Sequence, residues 1–182
     1  MYKCVHEEVF FHIQRLDSLC VPWKIGDTIF IGDIKNQFFG MYDTFPITEM
    51  DTIENILNEY VIFARETLFE EVRQNYFPEL PSRQKCIWLI PPNNEQITFW
   101  LNALKCPDGK YQILKLECSG KVFFANEKYL KNTLGNFNLI RGNAFNYWSG
   151  HDADETYLGI ECLFNGFVNV VDILKDGPRQ TL

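Results

Sequence analysis

Apolar positions along the chain follow two rhythms, and each predicts its own elements. Ile53, Ile56, Leu57, Tyr60, Val61, Ala64, Leu68 and Val72 recur at three- and four-residue spacing, which aligns them on one helical face. Thr48 and Asp51 make a capping-box-like start, with Asp in place of the usual Glu or Gln. No Gly or Pro intervenes before Pro78, so the predicted helix runs to about Asn75 and is roughly 40 Å long at 1.5 Å per residue. A second helical face, Ile97, Trp100, Leu101 and Leu104, lies within Asn94 to Leu104, and Asn126 to Thr133 reads as a short helix.

The second rhythm is the short apolar run. Val9 to Ile13 and Cys86 to Ile90 read as buried strands. Tyr111 to Cys118 and Lys121 to Ala125 read as strands separated by Ser119-Gly120. Tyr157 to Phe164 and Phe167 to Leu174 read as a closing pair, joined by the hairpin signal Asn165-Gly166. Leu16 to Ile47 carries Pro22, Gly26-Asp27, Gly32-Asp33 and Gly40, and is expected as a long loop with short extended pieces such as Thr28 to Ile31. Asn143 to Thr156 is polar and aromatic, and is expected as a surface loop. With no repeat or low-complexity linker, the expectation is one α+β domain over residues 1–182, around a mixed or antiparallel sheet.

Composition narrows the class. Hydrophobic residues make up 46% and charged residues 23%, an ordinary globular balance, but 15% aromatic content offers stacking surface as well as core. A net charge of −7 argues against broad, sequence-independent nucleic-acid binding, while leaving a local encounter with RNA open. The six cysteines are scattered and the three histidines lie far apart. Free thiols in a reducing cytosol are therefore expected, with no metal site. The N-terminus lacks a signal peptide's apolar stretch, and no run of about 18 apolar residues occurs. A soluble, cytoplasmic protein with no membrane association is the expectation. Phosphate-loop glycines, a dinucleotide-fold fingerprint and a nucleophile elbow are absent from the sequence.

Three strand settings combine polar reactivity with apolar surroundings: Phe10-Phe11-His12-Ile13, Cys86-Ile87-Trp88-Leu89-Ile90, and Glu161-Cys162-Leu163-Phe164-Asn165-Gly166-Phe167-Val168-Asn169-Val170. Taken singly, His12 reads as a satisfied strand histidine and Trp88 as core packing. Glu161 is different, because a carboxylate in so apolar a segment needs a partner or a function. In order and surroundings the three resemble the ADP-ribosyltransferase superfamily, in the branch with His, an aromatic residue and Glu on separate strands. The resemblance spans roughly residues 9–174, and its third segment is the most specific.

The resemblance implies a split mixed or antiparallel sheet with a long helix and shorter helices, and NAD as co-substrate. Glu161 would be the catalytic carboxylate, stabilising the positive charge that grows on ribose as nicotinamide leaves. His12 would bond a ribose hydroxyl, the Ile13 backbone would hold the nicotinamide amide, and Trp88 would face its ring. Tyr147, Trp148 and His151, in the segment before the glutamate strand, would meet the acceptor. Three departures stand out. Ile13 replaces the family's frequent small residue, Trp88 its usual Tyr, and Gly159 the second acidic residue of arginine-modifying members. The function implied is transfer of ADP-ribose to a protein or nucleic-acid acceptor, in a bacterial toxin or defence effector held by an antitoxin or other inhibitory partner. NAD hydrolysis, or a catalytically inactive binding module of the same fold, is the alternative.

Overall fold

The structure, a computed structural model, describes residues 2–16, 21–43, 52–106, 110–131, 136–154 and 157–175. It is α+β, with a five-stranded antiparallel sheet and four α-helices among these residues. In chain order the elements are β1 (Tyr2–Arg15), β2 (Thr28–Ile31), α1 (Gln37–Asp43), α2 (Ile53–Tyr76), β3 (Ile87–Leu89), α3 (Asn94–Ala103), β4 (Tyr111–Asn126), a 3-10 turn (Glu127–Leu130), α4 (Phe137–Trp148) and β5 (Ile160–Lys175).

The strands run β1-β4-β5-β2, and β3 also pairs with β5, through Ile87–Phe164, Trp88–Leu163 and Leu89–Cys162. The sheet curls far enough for Ile90, just past β3, to bridge Phe11 of β1 by two backbone hydrogen bonds of 2.9 and 2.7 Å. The path β1-β4-β5-β3 thus closes on itself. Inside it lie Phe10, Leu89, Leu114, Leu116, Phe124, Ile160, Cys162 and Phe164, all buried. On the outer face α2 and α4 pack Leu68, Phe69, Ile140, Tyr147 and Trp148 against Phe123, Ala125 and Leu163. A smaller cluster, Ile13, Ile90, Ile97 and Tyr111, lies under α3.

Two expected strand breaks are not breaks. Ser119-Gly120 lies within β4, and Asn165-Gly166 lies within β5, where a hairpin was expected. The two glycines pair with each other across the ladder. A Cβ on Gly166 would come 2.5 Å from the Ser119 carbonyl oxygen and 2.7 Å from the Gly120 Cα. They permit the close approach of two long strands that bend together, instead of turning the chain back. The bend continues into β1, whose register slips between Val5 and Glu8 opposite Gly120 and Cys118. There Glu7 takes a φ of 54° and its N–H donates to Ser119 Oγ.

Helix ends also differ from expectation. Thr48 and Asp51 lie outside the described residues, and the cap observed on α2 is Thr52, whose side chain accepts from the Asn55 N–H. Helix α1 falls in the stretch expected as loop. Asn36 starts it, accepting from the Phe39 N–H while its amide donates to the Arg83 and Cys86 carbonyls. The expected loop from Asn143 is instead the second half of α4, capped by Asn136. Ile140, Ala144, Tyr147 and Trp148 form its buried face, a helical spacing obscured by the Asn and Gly residues between them.

Candidate active site

Glu161 enters at the start of β5. Ile160 and Cys162 point into the enclosed core, so alternation turns Glu161 outward, to the layer covered by α2 and α4. It remains buried there, 8% exposed. Its Oε2 accepts from the Arg83 guanidinium and, at 2.6 Å, from the Tyr147 hydroxyl. Its Oε1 accepts no hydrogen bond among the described residues.

Arg83 is the hub. Its Nε donates to Glu66 Oε2 at 2.8 Å, and its Nη1 reaches both Tyr147 OH and Glu161. Arg65 supports Glu66 from one residue away at 2.7 Å, and also donates to the Leu130 carbonyl. Burial works against each charge, but the partners outweigh it. Glu161 and Glu66 hold the Arg83 pKa well up, and Arg83 and Arg65 hold Glu66 below the usual carboxylate range. Burial, reinforced by Glu161 against the opposing pull of Arg83, pushes the Tyr147 phenol well above 10, so it donates as a neutral hydroxyl.

Trp88, on β3, shows its ring to the same outer layer. Arg83 lies over it at 5.6 Å, and the Phe38 ring meets it edge-on at 6.2 Å. Its indole N–H is buried and has no hydrogen-bond partner among the described residues. His12 approaches from the other direction. By alternation it shares the side of β1 that carries Phe10, and its ring lies 5.9 Å from that of Trp23.

The link between His12 and Trp88 is through the backbone. The bridge Phe11–Ile90 is the one β1–β3 rung among the described residues. At the next rung, where Ile13 would face Trp88, His12 Nδ1 instead takes the Trp88 carbonyl at 2.9 Å. A carbonyl only accepts, so Nδ1 carries the proton. Burial, partly offset by that bond, lowers the imidazole pKa to about 4, so the ring is neutral and Nε2 offers a lone pair. The Ile13 side chain is buried beneath α3. Its peptide N–H and C=O, like those of Phe11, are aimed by alternation at the gap where β1 and β3 part.

The expected constellation is therefore brought together in part. His12 holds the strand that carries Trp88, and Arg83 joins Trp88 to Glu161, but the His12 ring lies on the opposite side of the sheet from the other two. Tyr147 and Trp148 are not on a surface loop. They are 0% and 1% exposed on α4, Tyr147 bonding Glu161 and Trp148 donating to the Phe69 carbonyl at 2.7 Å. Their large rings are worth more in the core than in water, and each polar tip finds a buried acceptor. His151 alone of the three is exposed, beside Asp152 and Tyr129.

Sequence reasoning missed Glu66 and Arg83. Glu66 had a signal, a charge beside the apolar stripe of α2 that must find a partner if buried. Arg83 had none, since it lies in a turn after Pro81. Beside the network a small cleft is lined by Arg65, Phe69, Tyr129, Lys131 and Asn143. Among the described residues no group of three His, Cys, Asp or Glu gathers as a ligand set, and no helix is long and apolar enough to cross a membrane. Cys86 and Cys118 are buried free thiols, and Cys162 is buried in the enclosed core.

No curated protein matches the chain. A family model described as a protein of unknown function, DUF2441, matches residues 42–176. That span takes in α2 through β5, and with them Glu66, Arg83, Trp88, Tyr147 and Glu161, while His12 precedes it. The chain belongs to the DUF2441 family.

Proposed function

We propose that the protein is an ADP-ribosyltransferase, cleaving the nicotinamide–ribose bond of NAD with Glu161 as the carboxylate that stabilises the developing charge. The reading is supported most by the junction where β1 and β3 part. There the peptide edge of Ile13, past the Phe11–Ile90 rung, and the Trp88 N–H, which has no partner among the described residues, lie beside the strand that carries Glu161. Bond cleavage places positive charge on the ribose carbon. A hydroxyl next to that carbon, donating to Glu161 Oε1, forms a hydrogen bond that strengthens as the charge grows. Arg83 and Tyr147 fix the carboxylate through Oε2 and leave Oε1 for the substrate. The Ile13 peptide receives the nicotinamide amide and the Trp88 N–H gains the acceptor it lacks, while His12, on the other side of the sheet, serves the site by tying β1 to the Trp88 carbonyl. A split-sheet transferase fold, a protein or nucleic-acid acceptor met near His151, and an inhibitory partner in a toxin or defence setting belong to the same proposal.

The direct test incubates the protein with NAD, alone and with cell lysate, and measures released nicotinamide. Glu161→Gln is expected to lower release about 10²–10³-fold, the usual loss when one preorganised electrostatic contact to a transition state is removed. No release by the wild type in either setting, or equal release by wild type and variant, overturns the reading. One observation favours a second reading, a catalytically silent module. A carboxylate covered by Arg83 and Tyr147 also serves as a structural ion pair. On that reading the substitution alters only stability.

A further inference from the structure

Glu127 follows β4 directly. The ladder pairs Ala125 with Glu161 and Asn126 with Ile160, and the Glu127 N–H then donates to the Gly159 carbonyl at 3.1 Å. Glu127 and Glu161 are thus diagonal neighbours across two strands. Alternation gives Glu127 the same face as Ala125, which is the face of Glu161. Gly159 has no side chain, and Glu127 occupies the room this leaves. A Cβ there would lie 2.9 Å from Glu127 Cγ and 3.3 Å from Oε1, on a backbone at φ +95°. The Glu127 carboxylate is half-buried, yet it makes no hydrogen bond or ion pair among the described residues. Its acceptor oxygens are thus left for water or a substrate, beside a second carboxylate on the neighbouring strand.

Transfer from NAD has a proton to place. The bond from ribose carbon to nicotinamide nitrogen breaks, and its electron pair leaves with nicotinamide. An oxygen nucleophile, water or an alcohol on the acceptor, bonds the same carbon and must lose its proton. Glu161 is committed to Arg83 and Tyr147 through one oxygen and to the ribose through the other. We infer that Glu127 is the base that takes this proton, an assignment that rests on the NAD-cleaving reading and makes the acceptor group a hydroxyl. The proton then passes from Glu127 to solvent, to which the half-exposed side chain has access.

The electrostatics agree. Burial raises the Glu127 pKa, Lys131 opposes this from beyond the 3-10 turn, and Glu161 on β5 adds to it. Two carboxylates whose neighbours differ in this way divide the work of stabiliser and base. A base acts only when deprotonated. Activity should therefore rise with pH along an acid limb shifted upward from that of an unperturbed glutamate.

The test compares nicotinamide release by the wild type and Glu127→Gln across pH, with NAD and lysate. Loss of the base is expected to lower kcat about 10²–10³-fold and to abolish the acid limb, leaving KM for NAD close to the wild-type value. Wild-type kcat with the limb retained, or a loss confined to KM, overturns the assignment alone. No release by the wild type overturns the NAD reading and the assignment with it. Carboxyl-carbon NMR of Glu127, in wild type and in Glu161→Gln, reads the pairing without turnover. The Glu127 pKa is expected to fall when Glu161 is neutralised, and an unchanged titration overturns the pairing.

Discussion

Arg83 concentrates the electrostatic risk of the molecule in one side chain. It neutralises two buried carboxylates, Glu66 at 1% exposure and Glu161 at 8%. Arg83→Leu would leave both without their common cation. Removing one partner of a buried pair typically costs about 3–5 kcal/mol, because the charge left behind has no water to return to. A loss of that order in the unfolding free energy from urea titration is expected. Arg83→Lys should recover part of it, since a single ammonium keeps the charge but cannot present the planar fork that spans Glu66, Tyr147 and Glu161. His12 carries a separate, pH-dependent contribution. Its pKa is about 4 folded against 6.5 unfolded, so between those values the unfolded chain binds more protons. Stability from this residue is complete above pH 6.5 and is lost as pH falls toward 4, by an amount on the order of 3 kcal/mol. Unfolding free energies measured at pH 7.5 and 4.5 should fall less in His12→Gln than in the wild type. Equal slopes would place the acid sensitivity elsewhere, with Glu66 as the next group to examine.

At the scale of elements, the long helix α2 was legible almost to its end, while the strands were placed but their continuity was not. The stripe from Ile53 to Val72 needs only the helix period, and α2 ends within a residue of the expected place. The strands depend on partners. Ser119-Gly120 and Asn165-Gly166 carry the local signature of turns, and in an isolated peptide Asn-Gly favours one. Here each glycine faces the other, and the β-bulge of β1 lies alongside. Together they bend three strands along one line. Gly166→Ala is expected to destabilise by about 2 kcal/mol or more, because its Cβ would meet backbone on the facing strand and its φ of 143° suits no L side chain. A drop in melting temperature with loss of amide protection along β4 and β5 would confirm a bent ladder. Unchanged protection would show that the bend is not strained. The missed helix α4 failed for a different reason. Its buried stripe was present, but two aromatic residues amid asparagines also fit the description of an exposed recognition loop.

At the scale of the whole molecule, the path β1-β4-β5-β3 closes through the bridge of Phe11 and Ile90, and it is this closure that brings His12 within reach of Trp88. The sequence by itself determined the class of fold, the long amphipathic helix, and the oddity of Glu161, since hydrophobic period and a charge in an apolar run are local properties. It placed the three motifs on separate strands but could not say on which side of the sheet each would stand. Side is set by register and by how far the sheet curls, and both depend on contacts distant in sequence. Only the tertiary structure supplied Arg83 and Glu66 as partners for Glu161, drew Tyr147 from solvent into the site, and set Glu127 in the space left by Gly159. Each of these pairings joins elements separated by many residues, and a buried charge is satisfied by whatever lies near it in space.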